Sequence, residues 1–255
     1  MLSQFWNNMV ALSDDKRKLI GQLQKHLLRW QGFKPSENHP EGIGLGTVEK
    51  AFPNAVFPMG SIHEFIGITP EQTAATSGFI GGILAALMRK GGVCLWISTS
   101  NSLFPPAIKL FGVEPDRIIF IEARRERDIL WALEEALKCD RLIAVVAELR
   151  EMDFSQSLRL QLAVEKSRVT GFVLRSNPSR VGNTACAARW QITSLPSEAD
   201  EGMPGVGLPK WGVQLLKVRS GNPGYWEVTW SAGRFTDASK PTKVPELPMR
   251  NRKIG

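Results

Sequence analysis

A buried strand, a turn and a long helix rich in alanine, glycine and leucine follow one another from Gly60 to Lys90. A phosphate-binding loop at such a junction has the pattern G-x-x-x-x-G-K-[ST], in which the lysine reaches the β- and γ-phosphates and the hydroxyl holds Mg²⁺. The run from Gly67 to Ser77 reads GITPEQTAATS and contains no lysine, and Glu71 would bring a negative charge towards the phosphates. Lys90 lies about 20 Å further along a helix that rises about 1.5 Å per residue. The sequence therefore predicts the framework of a nucleotide site without the groups that bind a triphosphate.

The composition favours a globular protein with a partner of opposite charge. The chain has 255 residues, enough for one or two domains, and carries a formal net charge of +7. Such a charge favours contact with a polyanion or an acidic partner, although a solvated surface with no nucleic-acid role is the alternative. The N-terminal residues lack the basic start of a signal peptide, and no run approaches the roughly 20 apolar residues that span a bilayer. We therefore expect a soluble, cytoplasmic protein with no membrane contact.

The sequence contains no pattern of a disulfide framework, a metal site or a catalytic triad. Its three cysteines are Cys94, Cys139 and Cys186. They are far apart and lack C-x-x-C spacing, so we interpret them as buried free thiols in a reducing compartment. His63 lies inside an apolar strand, which indicates a packed side chain rather than a catalytic one. No catalytic residue, metal ion or cofactor is expected.

Apolar strands alternate with helices through the middle of the chain. Strands are predicted at residues 62–66, 93–97, 117–121, 142–146 and 171–175, and helices at 71–90, 105–111, 126–139 and 154–167. Because strands that are apolar throughout are buried on both faces, the alternation predicts a parallel sheet covered by helices on both sides. Three shorter strands are predicted at residues 188–193, 212–219 and 226–230. These favour an antiparallel extension to the same sheet.

The ends of the chain differ in character from its middle. Residues 1–54 combine an amphipathic helix at 13–31 with a linker rich in proline and glycine, which has at most one helical turn, at 47–51. Residues 236–255 are polar, rich in proline and basic at the end, which is typical of a disordered tail. We therefore predict an N-terminal helix and linker at 1–54, a core domain at 55–235 and a tail at 236–255. The N-terminal helix either docks a partner or packs on its own domain.

Several segments resemble one family of proteins. The run from Gly60 to Gly67 is similar to the strand that enters the phosphate loop of RecA-type domains, and residues 111–120 and 128–137 resemble their next link and helix. RWQIT at 189–193 and WGVQLLKVRSGNPGYWEVTW at 211–230 resemble the carboxy-terminal signature of the ImuA family, which are RecA-like bacterial proteins linked to error-prone DNA repair. The resemblance spans about residues 55–232. It implies an α/β, RecA-like fold with a mostly parallel sheet flanked by helices and an antiparallel C-terminal extension.

The resemblance also implies a function. It implies an accessory role in SOS-induced translesion DNA synthesis, with an ImuB-like homologue of Y-family polymerases as partner. A RecA filament and an error-prone replicative-type polymerase are further partners on this interpretation. Cell-division inhibitors of the SulA type, which also lack the phosphate loop, provide the alternative, and a weak nucleotide- or DNA-binding RecA-like ATPase is another.

Two further groups that RecA-type ATPases use are displaced or absent. Such enzymes hold Mg²⁺ with an acid at the end of the fourth strand and place a catalytic glutamate after the second. Here the fourth strand ends in apolar residues before Glu148, and the run from Ser98 to Asn101 contains no carboxylate. We therefore predict a protein that does not hydrolyse ATP.

Eight basic residues are candidate contacts for nucleic acid or a protein partner. They are Arg124, Arg125, Arg127, Arg175, Arg180, Arg250, Arg252 and Lys253. The first three follow a parallel strand, at the edge where open α/β sheets bind ligands, although a solvated helix start is the alternative. The next two bound a loop at the position of a DNA-binding loop in recombinases. The last three would add phosphate affinity that weakens with salt.

Overall fold

The computed structural model describes residues 42–99, 103–197 and 207–238. The helix expected at residues 13–31 lies outside these ranges, as does the tail expected at 236–255 from residue 239 onward. Residues 236 and 237 of that expected tail are instead part of a strand, Arg234–Asp237.

The described residues form one sheet of nine strands. The strands are β1 (Ile62–Gly67), β2 (Val93–Ser98), β3 (Ile118–Glu122), β4 (Leu142–Leu149), β5 (Thr170–Ser176), β6 (Ala188–Leu195), β7 (Lys210–Val218), β8 (Gly224–Ser231) and β9 (Arg234–Asp237). Their order is β3-β2-β4-β5-β1-β6-β7-β8-β9. Neighbours from β3 to β6 run parallel, and those from β6 to β9 run antiparallel. The predicted parallel sheet with an antiparallel extension is confirmed, and β9 is a strand that the sequence pattern missed.

Within the described residues, three α-helices cover the two faces of the sheet. They are α1 (Pro70–Leu87), α2 (Glu126–Leu137) and α3 (Phe154–Ser167). The buried side chains of α1 belong to one core and those of α2 and α3 to a second, so helices lie on both sides as predicted. The helix α1 ends three residues before the predicted end, and the Gly91–Gly92 pair that follows has positive φ, a conformation that ends regular helix. The segment Pro105–Phe111 forms a 3-10 helix rather than an α-helix.

An aromatic cluster joins α1 to the antiparallel strands. Phe79 of α1 packs with ring-centroid distances of 5.8 Å to Trp211 and 5.0 Å to Phe235. Gly82 permits this close approach, because a Cβ atom there would lie 2.6 Å from the Phe235 ring. The antiparallel strands are therefore one wall of the main core.

Part of the segment interpreted as a linker belongs to this core. Ile43, Leu45, Val48 and Phe52 are buried in the same cluster as α1. The carboxylate of Glu49 accepts hydrogen bonds from the backbone N–H groups of residues 43 and 45, at 2.9 and 3.1 Å. The linker interpretation is wrong for residues 43–52, because the glycines there shape a tight turn that carries apolar side chains inward. The helical turn is found as a 3-10 helix at Gly46–Ala51. The division into arm, core and tail stays a prediction.

His63 is a packed core residue. Its ring stacks on Phe57 with centroids 4.3 Å apart, Nε2–H donates to the carbonyl of Pro58 at 2.8 Å, and Nδ1 accepts from the Trp190 indole at 3.3 Å. Burial lowers the pKa of His63 to about 4, so the ring is neutral near pH 7.

Two of the three cysteines are buried as expected. Burial raises the pKa of the Cys186 thiol to about 12, and it raises that of Cys94 further. The expectation is wrong for Cys139, which is exposed because it lies in the turn after α2 rather than within it. Within the described ranges no helix is long and apolar enough to cross a bilayer.

Candidate functional site

A groove of about 750 Å³ opens at the carboxyl edge of the parallel strands, between the start of α1 and the 3-10 helix at Pro105–Phe111. Its lining is mostly apolar and includes Ile68, Ala74, Leu103, Leu110, Phe111 and Glu148. The groove lies directly after β1, where the sequence predicts the framework of a nucleotide site. We call it the α1 groove.

The backbone donors at the start of α1 are used within the chain. Thr69 is the N-cap residue, and its hydroxyl accepts a hydrogen bond from the backbone N–H of Gln72 at 3.3 Å. The Gln72 side chain in turn accepts from the N–H of Ile68 at 2.9 Å, and the N–H of Thr73 donates to the carbonyl of Thr69 at 3.0 Å. Pro70 has no N–H to offer. This reciprocal capping occupies the donors that bind phosphate in a working loop.

Glu71 supplies an anion of its own at this helix start. Hydrogen bonds from the Thr69 hydroxyl and from its own backbone N–H lower the pKa of the exposed Glu71 carboxyl. A carboxylate at a helix N-terminus also interacts favourably with the helix dipole. Glu71 therefore stands, ionised, where a phosphate would have to approach.

The described lining of the α1 groove contains a second carboxylate. Glu148 of β4 lines the groove and accepts a hydrogen bond of 2.6 Å from the indole N–H of the buried Trp96. Among the described residues that line the groove, none is a lysine or an arginine. The arrangement suits apolar side chains and repels a triphosphate.

Arg175, one of the candidate contact residues, is buried and only 1% exposed. Its guanidinium donates to Glu64 Oε1 at 2.9 Å and to Glu151 Oε2 at 3.1 Å. The other oxygen of Glu64 accepts from Arg189 Nε and from the Thr184 hydroxyl, each at 2.7 Å. We call Glu64, Arg175 and Arg189 the Glu64 network. The expectation that Arg175 lies on an exposed contact surface is wrong, because it pairs with the buried Glu64 on the neighbouring strand β1.

The Glu64 network fastens the loop that follows β5. Arg175 also donates to the carbonyl of Arg180 at 2.9 Å, and Arg189 donates to that of Gly182. Lys217 of β7 donates to the carbonyl of Thr184 at 2.7 Å. The loop expected to resemble a DNA-binding loop is therefore held against the end of the sheet. The signal in the sequence was a charged glutamate inside a mostly apolar strand.

The structure brings some of the remaining candidate residues together. Arg127 and Arg180 are exposed and line one surface groove of about 530 Å³, beside the start of α3. Arg124 and Arg125 are exposed in the turn before α2, and the carbonyl of Arg125 accepts from the first turn of that helix. Arg250, Arg252 and Lys253 lie outside the described residues. Across residues 42–99, 103–197 and 207–238, no group of three histidine, cysteine, aspartate or glutamate side chains could hold a metal ion.

The chain is similar to curated proteins and to a solved structure, although no protein-family model matches it. It is 34% identical over 196 residues to Protein ImuA of Caulobacter vibrioides strain NA1000 / CB15N, across 72% of this chain and 80% of that protein. The same values hold for Protein ImuA of strain ATCC 19089 / CIP 103742 / CB 15. The crystal structure of the RadB recombinase superposes with a TM-score of 0.53 at 13% identity, over 77% of this chain and 99% of that chain. This structural likeness shows the fold alone, and it confirms the RecA-like architecture expected from the sequence.

Proposed function

The chain belongs to the ImuA family, and on that premise we propose that it is a non-catalytic, RecA-like accessory protein of translesion DNA synthesis. It acts by binding an ImuB-like homologue of the Y-family polymerases. A RecA filament and an error-prone replicative-type polymerase are its further partners in SOS mutagenesis, and any contact with nucleic acid is weak.

The capped start of α1 is the observation that supports a non-catalytic role. A triphosphate at this position would have to displace the Gln72 side chain and the Thr69 hydroxyl from their backbone donors, and breaking such a cap costs about 1 kcal/mol. It would also meet the Glu71 carboxylate. Like charges this close repel each other. Because no cation of the described lining offsets these terms, Mg-ATP binds too weakly to be hydrolysed.

Calorimetric titration with Mg-ATP and a phosphate-release assay test the non-catalytic role, with an active RecA-type ATPase as the positive control. We expect no binding heat and no phosphate release. A crystal soaked with a nucleotide analogue that showed it ordered against Thr73 and Ser77, with Mg²⁺ attached, would refute the proposal.

Affinity capture tests the partner. The full-length chain is immobilised and offered, in separate experiments, a purified ImuB-like protein and a tubulin-like division protein. Retention of the ImuB-like protein alone is the expected result. Retention of the division protein alone would instead assign the chain to the SulA-type inhibitors.

A further inference from the structure

The rim of the α1 groove exposes large apolar side chains. Ile68, Phe104 and Leu110 are 55%, 68% and 77% exposed. The groove volume of about 750 Å³ lies within the range of clefts that bind a ligand or several side chains, about 300–1,000 Å³. Clustered apolar surface of this kind marks a docking site.

The charges at the α1 groove select for a basic occupant. Its floor and its helix start contribute the carboxylates of Glu148 and Glu71, and hydrogen bonds keep the latter ionised. A second exposed apolar surface, around Trp131 on α2, has the opposite character. Arg127, Arg159 and Glu134 line the groove beside Trp131. Because Arg159 is paired with Glu134, Arg127 leaves the balance positive and a basic segment is less favoured there.

One segment of this chain has the matching chemistry. Residues 13–31 have apolar residues at helical spacing and five basic residues, four of which fall outside the apolar face of a helix. The apolar positions are Leu19, Ile20, Leu23, Leu27 and Trp30, and the basic positions are Lys16, Arg17, Lys18, Lys25 and Arg29. We propose that residues 13–31 dock in the α1 groove of their own chain, so that a basic, apolar helix covers the site where related folds accommodate a nucleotide.

The connection is long enough for docking within one molecule. A Cβ atom on Gly44 would lie 4.0 Å from the Arg89 guanidinium, which places the start of the described chain near the far end of α1. The 18 residues of α1 span about 27 Å at about 1.5 Å per residue. The ten residues from 32 to 41 reach up to about 35 Å when extended. The end of the basic segment can therefore reach the groove at the start of α1.

Limited digestion with trypsin tests this docking on the full-length chain, because the segment carries its own cleavage sites. A helix held in a groove resists cleavage. We expect Leu110→Glu to raise the initial rates of cleavage after Lys25 and Arg29, read by mass spectrometry, by about tenfold or more. The matched control is Trp131→Glu, which changes an equally exposed apolar residue at the basic surface and should leave these rates as in the wild type.

Three results would overturn the proposal. Equal cleavage rates in the wild type and Leu110→Glu would mean that the groove does not hold the segment. Equal acceleration by Trp131→Glu would place the segment on the other surface or show a general loss of stability. Protection that increases with protein concentration would assign the groove to the segment of a second copy. None of these results depends on the proposed role in DNA synthesis, since neither a nucleotide nor a partner is present.

Discussion

The substitution Glu64→Gln measures how strongly the Glu64 network holds the structure. Glu64 is fully buried and accepts hydrogen bonds of 2.9, 2.7 and 2.7 Å from Arg175, Arg189 and Thr184. Glutamine keeps the shape and one acceptor oxygen, but its NH₂ group would face a partner that also donates. The substitution also removes the negative charge that the guanidinium groups of Arg175 and Arg189 share. Removing one partner of a buried ion pair costs about 3–5 kcal/mol, because the other charge stays buried without compensation. We therefore expect the free energy of unfolding to fall by about that amount.

Urea unfolding, followed by tryptophan fluorescence, gives this free energy directly. In thermal unfolding the same loss would lower Tm by about 6–20 °C for a domain of this size. The matched control is Glu134→Gln, whose partners Lys138 and Arg159 are exposed at the surface. Exposed pairs contribute about 1 kcal/mol or less, so the control should differ little from the wild type.

Hydrogen exchange adds a local readout to the same experiment. The Glu64 network holds the loop at residues 177–187, within which the N–H of Ala185 donates to the Ser157 hydroxyl at 3.0 Å. Glu64→Gln should therefore accelerate exchange in this loop before the rest of the core opens. The reasoning is refuted if Glu64→Gln costs no more than Glu134→Gln, or if the loop keeps its protection while stability falls.

Three further predictions concern the core. The unfolded chain takes up a proton at His63 near pH 6.5, whereas the folded chain does so only near pH 4, so the free energy of unfolding should fall by about 3 kcal/mol as the pH drops across this window. Urea unfolding at pH 7 and at pH 5 measures this loss of stability, which should be smaller in His63→Phe. An equal loss in the variant and the wild type would contradict the assignment to His63. Gly82→Ala should lower the free energy of unfolding by about 1–3 kcal/mol despite the helix preference of alanine, because its Cβ would meet the Phe235 ring. Gly78→Ala is the comparison: its Cβ would lie 3.2 Å from the Phe111 ring, so the free energy of unfolding should fall by less. A thiol reagent should label one cysteine of the native chain, Cys139, and two more only after denaturation; a second fast label would contradict the burial described.

The regular elements could be predicted because their signals are local. Helix α3 runs over Phe154–Ser167, the predicted range, because Asp153 caps it and Gln156 completes a capping box at its start. The parallel strands were recognisable as unbroken apolar runs. Strand β9 was missed, since it has four residues and a single buried apolar side chain, Phe235, whose partners on α1 are about 150 residues away.

The features of the candidate site also differ in whether they could be predicted from the sequence. The absence of a lysine between Gly67 and Ser77 is a local fact that the sequence gives directly, and the proposed non-catalytic role builds on it. The closure of the helix start by Thr69 and Gln72 follows a capping pattern that is also local. The burial of Arg175 could not be predicted, because its partner Glu64 precedes it by 111 residues and only the pairing of β1 with β5 brings them together.

The central position of β1 has a consequence for synthesis on the ribosome. Its two neighbours in the sheet are β5 and β6, which begin at Thr170 and Ala188. A nascent chain that has just released β1 therefore exposes an apolar strand with both edges open until more than a hundred further residues have emerged. Open strand edges of this kind promote aggregation. Native pairing of this strand must await late translation, and a chaperone that shields it until then would increase the yield of folded protein.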